Sequence, residues 1–98
     1  MQHLDLIPPQ DAKTLAGLFV ERTRRSPDTI AYRYFHEETE SWQECTWREV
    51  WEWAARWQQA MIREGLQAGD RVAVMLRNCL EWVLFDLAAT GLGLVTVP

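Results

Sequence analysis

Few residues in this sequence belong to the types that carry out chemistry in enzymes. The 98 residues include two cysteines, two histidines and one lysine: Cys45, Cys79, His3, His36 and Lys13. They show no paired spacing typical of metal ligands, and neither histidine has a nucleophile near it in the chain. We therefore predict no metal site and no catalytic residue among them, and we expect the lysine to be solvated.

The two cysteines also bear on the cell compartment. Cys45 and Cys79 stand 34 positions apart, and a disulfide framework in so short a chain uses more cysteines than two. We expect free, buried thiols in a reducing compartment, which favours a cytoplasmic protein.

Two local patterns are similar to functional motifs. Gly91 and Gly93 match the start of the phosphate-binding pattern G-x-G-x-x-G, but its third glycine position holds Thr96. They also follow a predicted helix, whereas a phosphate loop follows a strand and opens a helix. We therefore interpret them as a helix end. Four carboxylates lie in or beside a predicted turn, where we expect solvated side chains without raised pKa values: Glu37, Glu38, Glu40 and Glu44.

Tryptophan is unusually frequent, with six residues in 98. Three of them share helical spacing with aliphatic residues, which predicts one buried stripe: Trp47, Val50, Trp51, Ala54, Trp57 and Met61. Trp53 lies about 90° from the centre of that stripe. It is the candidate for contact with a ligand or partner outside these residues, the alternative being the edge of the core.

The elements that would position these side chains begin with a lead-in, a helix and a β-hairpin. Residues 1–13 are polar, with two adjacent prolines, and are expected to be extended. Residues 30–35 and 42–45 are rich in strand formers and flank a polar five-residue connection, which predicts a hairpin. Between the lead-in and the hairpin, Thr14 is a candidate N-cap of a helix that stops near Ser26. One face of this helix is formed by Leu15, Leu18, Phe19 and Arg22.

A long helix follows the hairpin. Thr46 and Glu49 form a capping box, in which each side chain accepts a hydrogen bond from the other residue's amide. Gly65 provides the C-terminal stop. This pattern predicts a helix between them.

The remaining residues predict a β–α–β unit. Residues 71–76 are apolar and β-branched, as expected of a strand covered on both faces. Asn78 is the candidate N-cap of a deeply buried helix over 79–90, and 94–97 form the next strand. Such a crossover places its two strands parallel with a right-handed connection.

Composition limits the function classes. Hydrophobic residues make up 48% of the chain and charged residues 24%, as in a single small globular domain. The net charge is −4 and the basic residues are scattered, which argues against nucleic-acid binding. The longest apolar run is broken at Asp86, far short of a transmembrane segment. The first five residues lack the basic region of a secretory signal.

Several segments together resemble a known family. Thr46–Trp47–Arg48–Glu49–Val50 is similar to the core motif L-T-Y-x-E-L of the adenylate-forming (AMP-binding) superfamily, and Gly69–Asp70–Arg71–Val72–Ala73 to its G-D-R-V-A strand. The resemblance spans residues 14–98, and the Thr-Trp-x-Glu and Asn-x-x-Glu-Trp forms are most similar to long-chain fatty acyl-CoA ligases. Further similar segments lie in order at 14–22, 27–32, 78–82, 86–88 and 91–98.

The resemblance implies a fold and an activity. It implies an α/β fragment of the N-terminal domain, with a helix–hairpin–helix followed by a right-handed parallel βαβ unit. Residues 14–98 would be a partial domain, truncated before the phosphate-binding loop. The parent enzyme would use ATP, Mg²⁺ and coenzyme A to convert a fatty acid into its acyl-CoA through an acyl-adenylate. The matched motifs are scaffold motifs, so we assign no catalytic, cofactor-binding or metal-binding residue here.

Two other interpretations remain open. The chain could be a self-standing interaction module derived from such an enzyme, or a small ligand-binding α/β domain with a site at the carboxyl ends of its strands. As a ligase fragment, its partner would be the remainder of the ligase, and alone it is expected to form a homo-oligomer. The parent would be cytoplasmic, with peripheral contact at the inner membrane face as a further expectation.

Overall fold

The computed structural model of the protein describes residues 5–75 and 79–97. In order, its elements are α1 (Pro9–Ala12), α2 (Leu15–Arg25), β1 (Ile30–His36), β2 (Ser41–Thr46), α3 (Trp47–Arg63), β3 (Arg71–Ala73), α4 (Leu80–Gly91) and β4 (Val95–Val97). β1 pairs antiparallel with β2, and β3 pairs parallel with β4. The mixed α/β architecture and the parallel βαβ unit are therefore confirmed.

The lead-in differs from its predicted extended form. Residues 9–12 form one helical turn, because Pro9 enters it with a φ angle already suited to a helix. The turn ends at Lys13, which has a positive φ of 66° and donates its N–H to the Pro9 carbonyl. The Asp11 carboxylate forms an ion pair with the Arg25 guanidinium of α2, with an N–O distance of 2.7 Å. The turn is thus attached to the helix that follows.

The helix α2 begins and ends as predicted but buries less than predicted. The Thr14 hydroxyl accepts a hydrogen bond from the Gly17 amide at 2.9 Å. Leu15 and Leu18, however, are 80% and 41% exposed, since the described residues do not cover this part of the helix. Phe19 is the residue of this face that packs against both core clusters.

The hairpin forms as predicted, with a connection of four residues rather than five. Glu40 adopts a positive φ of 50° just before β2, the conformation for which glycine is usual. Along the ladder, Phe35 lies opposite Trp42 and Tyr32 opposite Cys45, with an irregularity near Ala31. The absence of glycine therefore does not prevent the turn.

Both ends of α3 are set by local hydrogen bonds. The Thr46 amide donates to the Glu49 carboxylate at 3.0 Å, and the Glu49 amide donates to the Thr46 hydroxyl at 3.2 Å. At the other end, Gly65 has a φ of 80°, and the Leu66 amide donates to the Met61 carbonyl. This is a Schellman motif, so both predicted ends are confirmed.

The tryptophan stripe on α3 is only partly buried. Val50, Ala54 and Met61 form buried contacts, but Trp51 and Trp57 are 41% and 37% exposed. The indole of Trp53, by contrast, packs against the cluster under the hairpin. The predicted stripe was therefore wrong for two tryptophans, because the hairpin covers the flank on which Trp53 lies.

The βαβ unit is shorter and more open than predicted. β3 spans three residues, and positions 76–78, including the predicted N-cap Asn78, lie outside the described residues. The N-cap of α4 is Cys79, whose side chain makes no capping bond. Only Leu84, Ala88 and Ala89 of α4 are fully buried, so the helix is not deeply buried all round.

Two clusters form the core. One joins α3, α4 and the residue that precedes β4, and it comprises Ala54, Met61, Ala88, Ala89 and Leu94. The other lies between the hairpin, α3 and α4 and comprises Cys45, Val50 and Leu84. The helix α4 contributes to both, so it holds the hairpin half and the βαβ half together.

Candidate functional site

The side chains that could do chemistry lie apart from one another. Cys45 is buried under the hairpin, 1% exposed, and its thiol lies 3.7 Å from the Tyr32 carbonyl. His36 lies at the end of β1, where its Nδ1 contacts the Thr39 hydroxyl at 3.2 Å. Lys13 is the C-cap residue of α1, before the hairpin in the chain. Within the described residues, His36 thus contacts a hydroxyl of the exposed hairpin turn, and the Cys45 thiol contacts a backbone carbonyl and not a histidine.

Burial changes the acidity of the groups under the hairpin. It raises the pKa of the Cys45 thiol above its usual 9.0, and the nearby Glu49 charge acts in the same direction. It also raises the pKa of the Tyr32 phenol. Both groups are therefore protonated at neutral pH, which is the opposite of an activated nucleophile.

The four carboxylates of the acidic cluster are all exposed on the hairpin. Glu44 is an exposed residue of β2 that accepts from Arg33 across the hairpin at 3.2 Å. Glu38 and Glu40 lie in the solvent-exposed turn. Within residues 5–75 and 79–97, no group of three or more histidine, cysteine, aspartate or glutamate side chains could hold a metal ion.

Gly91 and Gly93 lie at the C-terminal end of α4 and form a helix end. A Cβ at Gly91 would meet the Gln58 amide nitrogen, because this side chain crosses over to donate to the Ala88 carbonyl at 3.1 Å. Gly93 has a φ of 76° and faces Ala68 at close range. The Leu92, Gly93 and Leu94 amides donate to carbonyls of α4, whereas a phosphate loop uses free backbone amides. The interpretation of these glycines as a helix end is confirmed.

An open groove that the sequence did not reveal runs along the hairpin. One part, about 680 Å³, lies between the hairpin and the start of α4. A second part, about 530 Å³, continues between α3 and α4 past Trp53 and Trp57. The two share four lining residues: Tyr34, His36, Leu80 and Glu81.

The groove has the volume of a ligand site but not its enclosure. Its walls combine aromatic side chains such as Tyr34 and Trp53 with charged ones such as Arg56 and Glu81. The groove is open to solvent along its length, whereas ligand sites surround most of their ligand. The Tyr34 hydroxyl lies 3.2 Å from the Gln43 side-chain oxygen, so a wall residue already has a polar partner. Only the tertiary arrangement of hairpin, α3 and α4 creates this groove, and no local sequence pattern predicts it.

The sequence matches the family model described as AMP-binding enzyme over residues 19–98. This match covers most of the chain, so the protein belongs to the AMP-binding enzyme family. The resemblance found in the sequence motifs is therefore confirmed. Among the described residues, no helix has the length and apolar character needed to cross a membrane.

Curated relatives of this chain are fatty-acid ligases and a related synthetase. The long-chain-fatty-acid–CoA ligase FadD15 of Mycobacterium tuberculosis is 31% identical over 84 residues, which are 86% of this chain and 14% of that protein. The long-chain-fatty-acid–AMP ligase FadD26 of the same species is 32% identical over 93 residues, 92% of this chain and 16% of the relative. The acetoacetyl-coenzyme A synthetase of Rhizobium meliloti is 34% identical over 71 residues, which are 72% of this chain and 9% of that protein.

Solved structures agree with this assignment. The Mycobacterium tuberculosis fatty acyl CoA synthetase superposes with a TM-score of 0.73 at 28% identity, covering 88% of this chain and 16% of that one. The N-terminal subdomain of Klebsiella oxytoca NpsA, in complex with 3-hydroxyanthranilyl-AMSN, has a TM-score of 0.76 at 27% identity, covering 86% and 20%. The chain thus spans about one sixth of the curated fatty-acid ligases that it matches.

Proposed function

We propose that this chain is the N-terminal scaffold segment of an ATP-dependent fatty acyl-CoA ligase. The parent reaction is fatty acid, ATP and coenzyme A to acyl-CoA, AMP and pyrophosphate through an acyl-adenylate. The observation that supports it is the family match over residues 19–98, together with 31% identity to a long-chain-fatty-acid–CoA ligase. Transfer to coenzyme A is part of the proposal, since another relative is a fatty-acid–AMP ligase.

The role of this segment is to build the frame and not to perform a step. Its matched motifs are a helix start, a short strand and a helix packed against α3. Two observations support this role: the amides after Gly91 donate to carbonyls of α4, and the described residues contain no group of three or more histidine, cysteine, aspartate or glutamate side chains that could hold a metal ion. ATP, Mg²⁺ and coenzyme A would all bind to residues after position 98, in a domain of which 14–98 form the first part.

The proposal places the parent enzyme in the cytoplasm. Both cysteines are free in the structure, one buried and one half-buried, which suits a reducing compartment. The reading frame after Pro98 gives a direct test: within about a hundred residues it should encode a serine- and glycine-rich loop with a lysine. A stop codon or an unrelated sequence there would contradict the proposal and favour a self-standing interaction module.

A chimera tests the scaffold role experimentally. Residues 1–98 would replace the matching 84-residue segment of FadD15 and everything before it, and acyl-CoA formation from a long-chain fatty acid would be measured. We expect a folded, active ligase, because the segment supplies packing and not catalytic groups. A folded chimera without adenylation activity would show that the segment does not serve as a ligase scaffold.

The chain alone is expected to bind no ATP. Calorimetric titration of the 98-residue protein with Mg-ATP should give no heat above dilution. These residues contain no phosphate-loop motif, and their one lysine is Lys13. A dissociation constant below about 1 mM, roughly −4 kcal/mol, would show a nucleotide site that this structure does not predict.

A further inference from the structure

The segment before α2 is held on that helix by two arginines. We call residues 5–12 the N-terminal strap. The Arg22 guanidinium donates to the Asp5 carboxylate and to the Asp5 backbone carbonyl, both at 2.7 Å. Three residues further along α2, the Arg25 guanidinium donates to the Asp11 carboxylate at 2.7 Å. The N-terminal strap therefore has two ion-pair anchors, one near each of its ends.

The end of the N-terminal strap also fits closely against α2. A Cβ at Gly17 would meet the backbone carbonyl of Ala12, the last residue of α1. Since glycine has no Cβ, it permits this close approach of two backbones. The N-terminal strap thus lies at one defined position on α2, which depends on two ion pairs and one small residue.

Ser26 contacts both partners of the first anchor. Its hydroxyl donates to the Asp5 carboxylate and accepts from Nη1 of Arg22, both at 3.0 Å. Ser26 is the half-buried C-cap residue of α2, so its side chain lies at the end of the helix. A charged group on this oxygen would therefore lie directly beside a carboxylate and a guanidinium that now bind each other.

One phosphate on Ser26 would compete for both anchors. Arg22 and Arg25 stand four positions and one position before Ser26. Hydrogen bonds from Arg22 and Ser26 hold the pKa of Asp5 below its usual 3.8, and the Arg25 charge acts in the same direction, so Arg25 lies within electrostatic reach of Asp5.

The outcome of this competition follows from charge. A phosphate carries nearly two negative charges at neutral pH and three strong acceptor oxygens, and arginine binds it in a bidentate geometry. On Ser26 it would repel the adjacent Asp5 carboxylate and take over the Arg22 guanidinium. It would also attract Arg25 away from Asp11, so both anchors would be lost together.

We propose that Ser26 is a phosphorylation site and that its phosphate releases the N-terminal strap from α2. A serine kinase transfers the γ-phosphoryl group of ATP: the bond from Ser26 Oγ to phosphorus forms, the bond from phosphorus to ADP breaks, and the hydroxyl proton leaves to the base of the kinase. Arg24 is 66% exposed and is not an anchor, so its charge is presented to an acidic kinase surface. The inference concerns residues 5–26 and does not depend on the proposed function.

The one lysine of the chain reports on the N-terminal strap. The Lys13 amide donates to the Pro9 carbonyl at 2.8 Å, so a lysine-specific protease cleaves after Lys13 only when this turn opens. The 98-residue protein with phosphoserine installed at position 26 during translation is compared with the unmodified protein. We expect cleavage to become faster by about fivefold or more. Gly17→Ala displaces the turn without a change of charge and gives the cleavage rate of a released strap.

Matched variants separate this effect from a general loss of stability. Phosphoserine at Ser41, an exposed residue of the hairpin, should leave the cleavage rate unchanged. Asp5→Asn with Asp11→Asn removes the charge of both anchors, so cleavage should be fast, and phosphate on Ser26 should then add little. If the phosphorylated protein does not fold, Ser26→Glu adds one charge and should still accelerate cleavage. Equal rates with and without the charge on Ser26 would overturn the proposal, as would an equal acceleration by phosphate on Ser41.

Phosphopeptide mapping tests the modification itself. The protein is purified from the cells that produce it, in growth and in stationary phase, and the peptide that contains Ser26 is sequenced by mass spectrometry. We expect phosphate on Ser26. A peptide without phosphate in both phases, or with phosphate on Thr23 or Thr29 instead, would overturn the assignment of the site.

Discussion

The hairpin β1–β2 and the parallel pair β3–β4 differ in how their outer faces meet solvent. On the hairpin, Arg33 and Glu44 form an ion pair at 3.2 Å, and next to them the rings of Phe35 and Trp42 pack edge to face with centroids 5.7 Å apart. Each side chain has a partner directly across the ladder. The side chains of this face are therefore paired by residues a few positions away in the sequence, while Phe35 and Trp42 stay 50% and 72% exposed.

The parallel pair has no such local completion. Its strands are joined through α4, so only one face receives a helix from the connecting segment. Its outer residues Ala73, Val95 and Val97 are exposed, and Ala73 lies opposite Val97. The difference shows that the antiparallel half is a local structure, whereas the parallel half depends on neighbours from elsewhere in a larger fold. The following changes test that contrast.

Met61→Ala should lower the free energy of unfolding more than any other change proposed here. Met61 is 5% exposed and belongs to the cluster that joins α3 to α4 and Leu94. Loss of a buried methionine costs about 2–5 kcal/mol, and hydrogen exchange should increase most in the parallel half. Urea unfolding measures the total. Ile62→Ala changes an adjacent, 54% exposed residue and should alter stability by less than about 0.5 kcal/mol; equal effects of the two variants would contradict this packing.

Glu49→Ala should weaken the hairpin half through the start of α3. The variant removes the carboxylate that accepts from the Thr46 amide, and loss of a cap costs about 0.5–2 kcal/mol. Glu49→Gln retains a capping-box acceptor and should lose less. In the chimera, activity should fall only as far as the folded fraction does. Loss of activity at an unchanged melting temperature would show that this residue has a chemical role.

Thr96→Val should loosen the parallel half by a smaller amount. It removes the hydroxyl that donates to Asp86 but keeps the shape and the β-branch. We expect a loss of about 0.5–1.5 kcal/mol, with faster amide exchange in β4 and no change in the hairpin. Thr96→Ser keeps the donor and serves as the control. A uniform change across both halves would show that they unfold as one unit.

Alkaline pH should destabilise the hairpin half first. Because burial raises the pKa of Cys45 above the 9.0 of a free thiol, the unfolded state loses this proton before the folded state does. The contribution of Cys45 to the free energy of unfolding is therefore fully present below pH 9 and is lost as the pH rises through the pKa of the folded state. Tyr32, whose pKa is also raised, extends the loss above pH 10. Cys45→Ala should flatten this decrease between pH 8 and 10; an unchanged slope would contradict the burial argument.

Prediction from sequence succeeded where a signal and its structure lie a few residues apart. Thr14, Thr46 and Gly65 each act on amides or carbonyls within one helical turn. The hairpin and the order of elements were predicted for the same reason. The expectation of no catalytic centre rests on residue types alone and stays a prediction.

Prediction failed where burial depends on which elements meet. The periodicity of α3 identified an apolar stripe, but it could not show that the hairpin covers Trp53 while Trp51 and Trp57 remain partly exposed. The extended lead-in and the strand covered on both faces were wrong for related reasons. The helical turn that starts at Pro9 is stabilised by an ion pair between Asp11 and Arg25 of α2. The strand β3 is exposed on one face, because a strand is covered only where another element packs on it. The groove along the hairpin also exists only in three dimensions.

The sequence by itself determined where the helices and strands lie, how α2 and α3 are capped, and which enzyme family this chain belongs to. These properties depend on side-chain types at short, fixed spacings. Only the tertiary structure decided which faces are covered, because burial depends on the distance between elements remote in the chain. It thereby showed that the outer side chains of the hairpin pair across the ladder and that Met75, Val95 and Val97 form an open apolar face, since a parallel pair obtains its second cover from residues that its own connection does not supply.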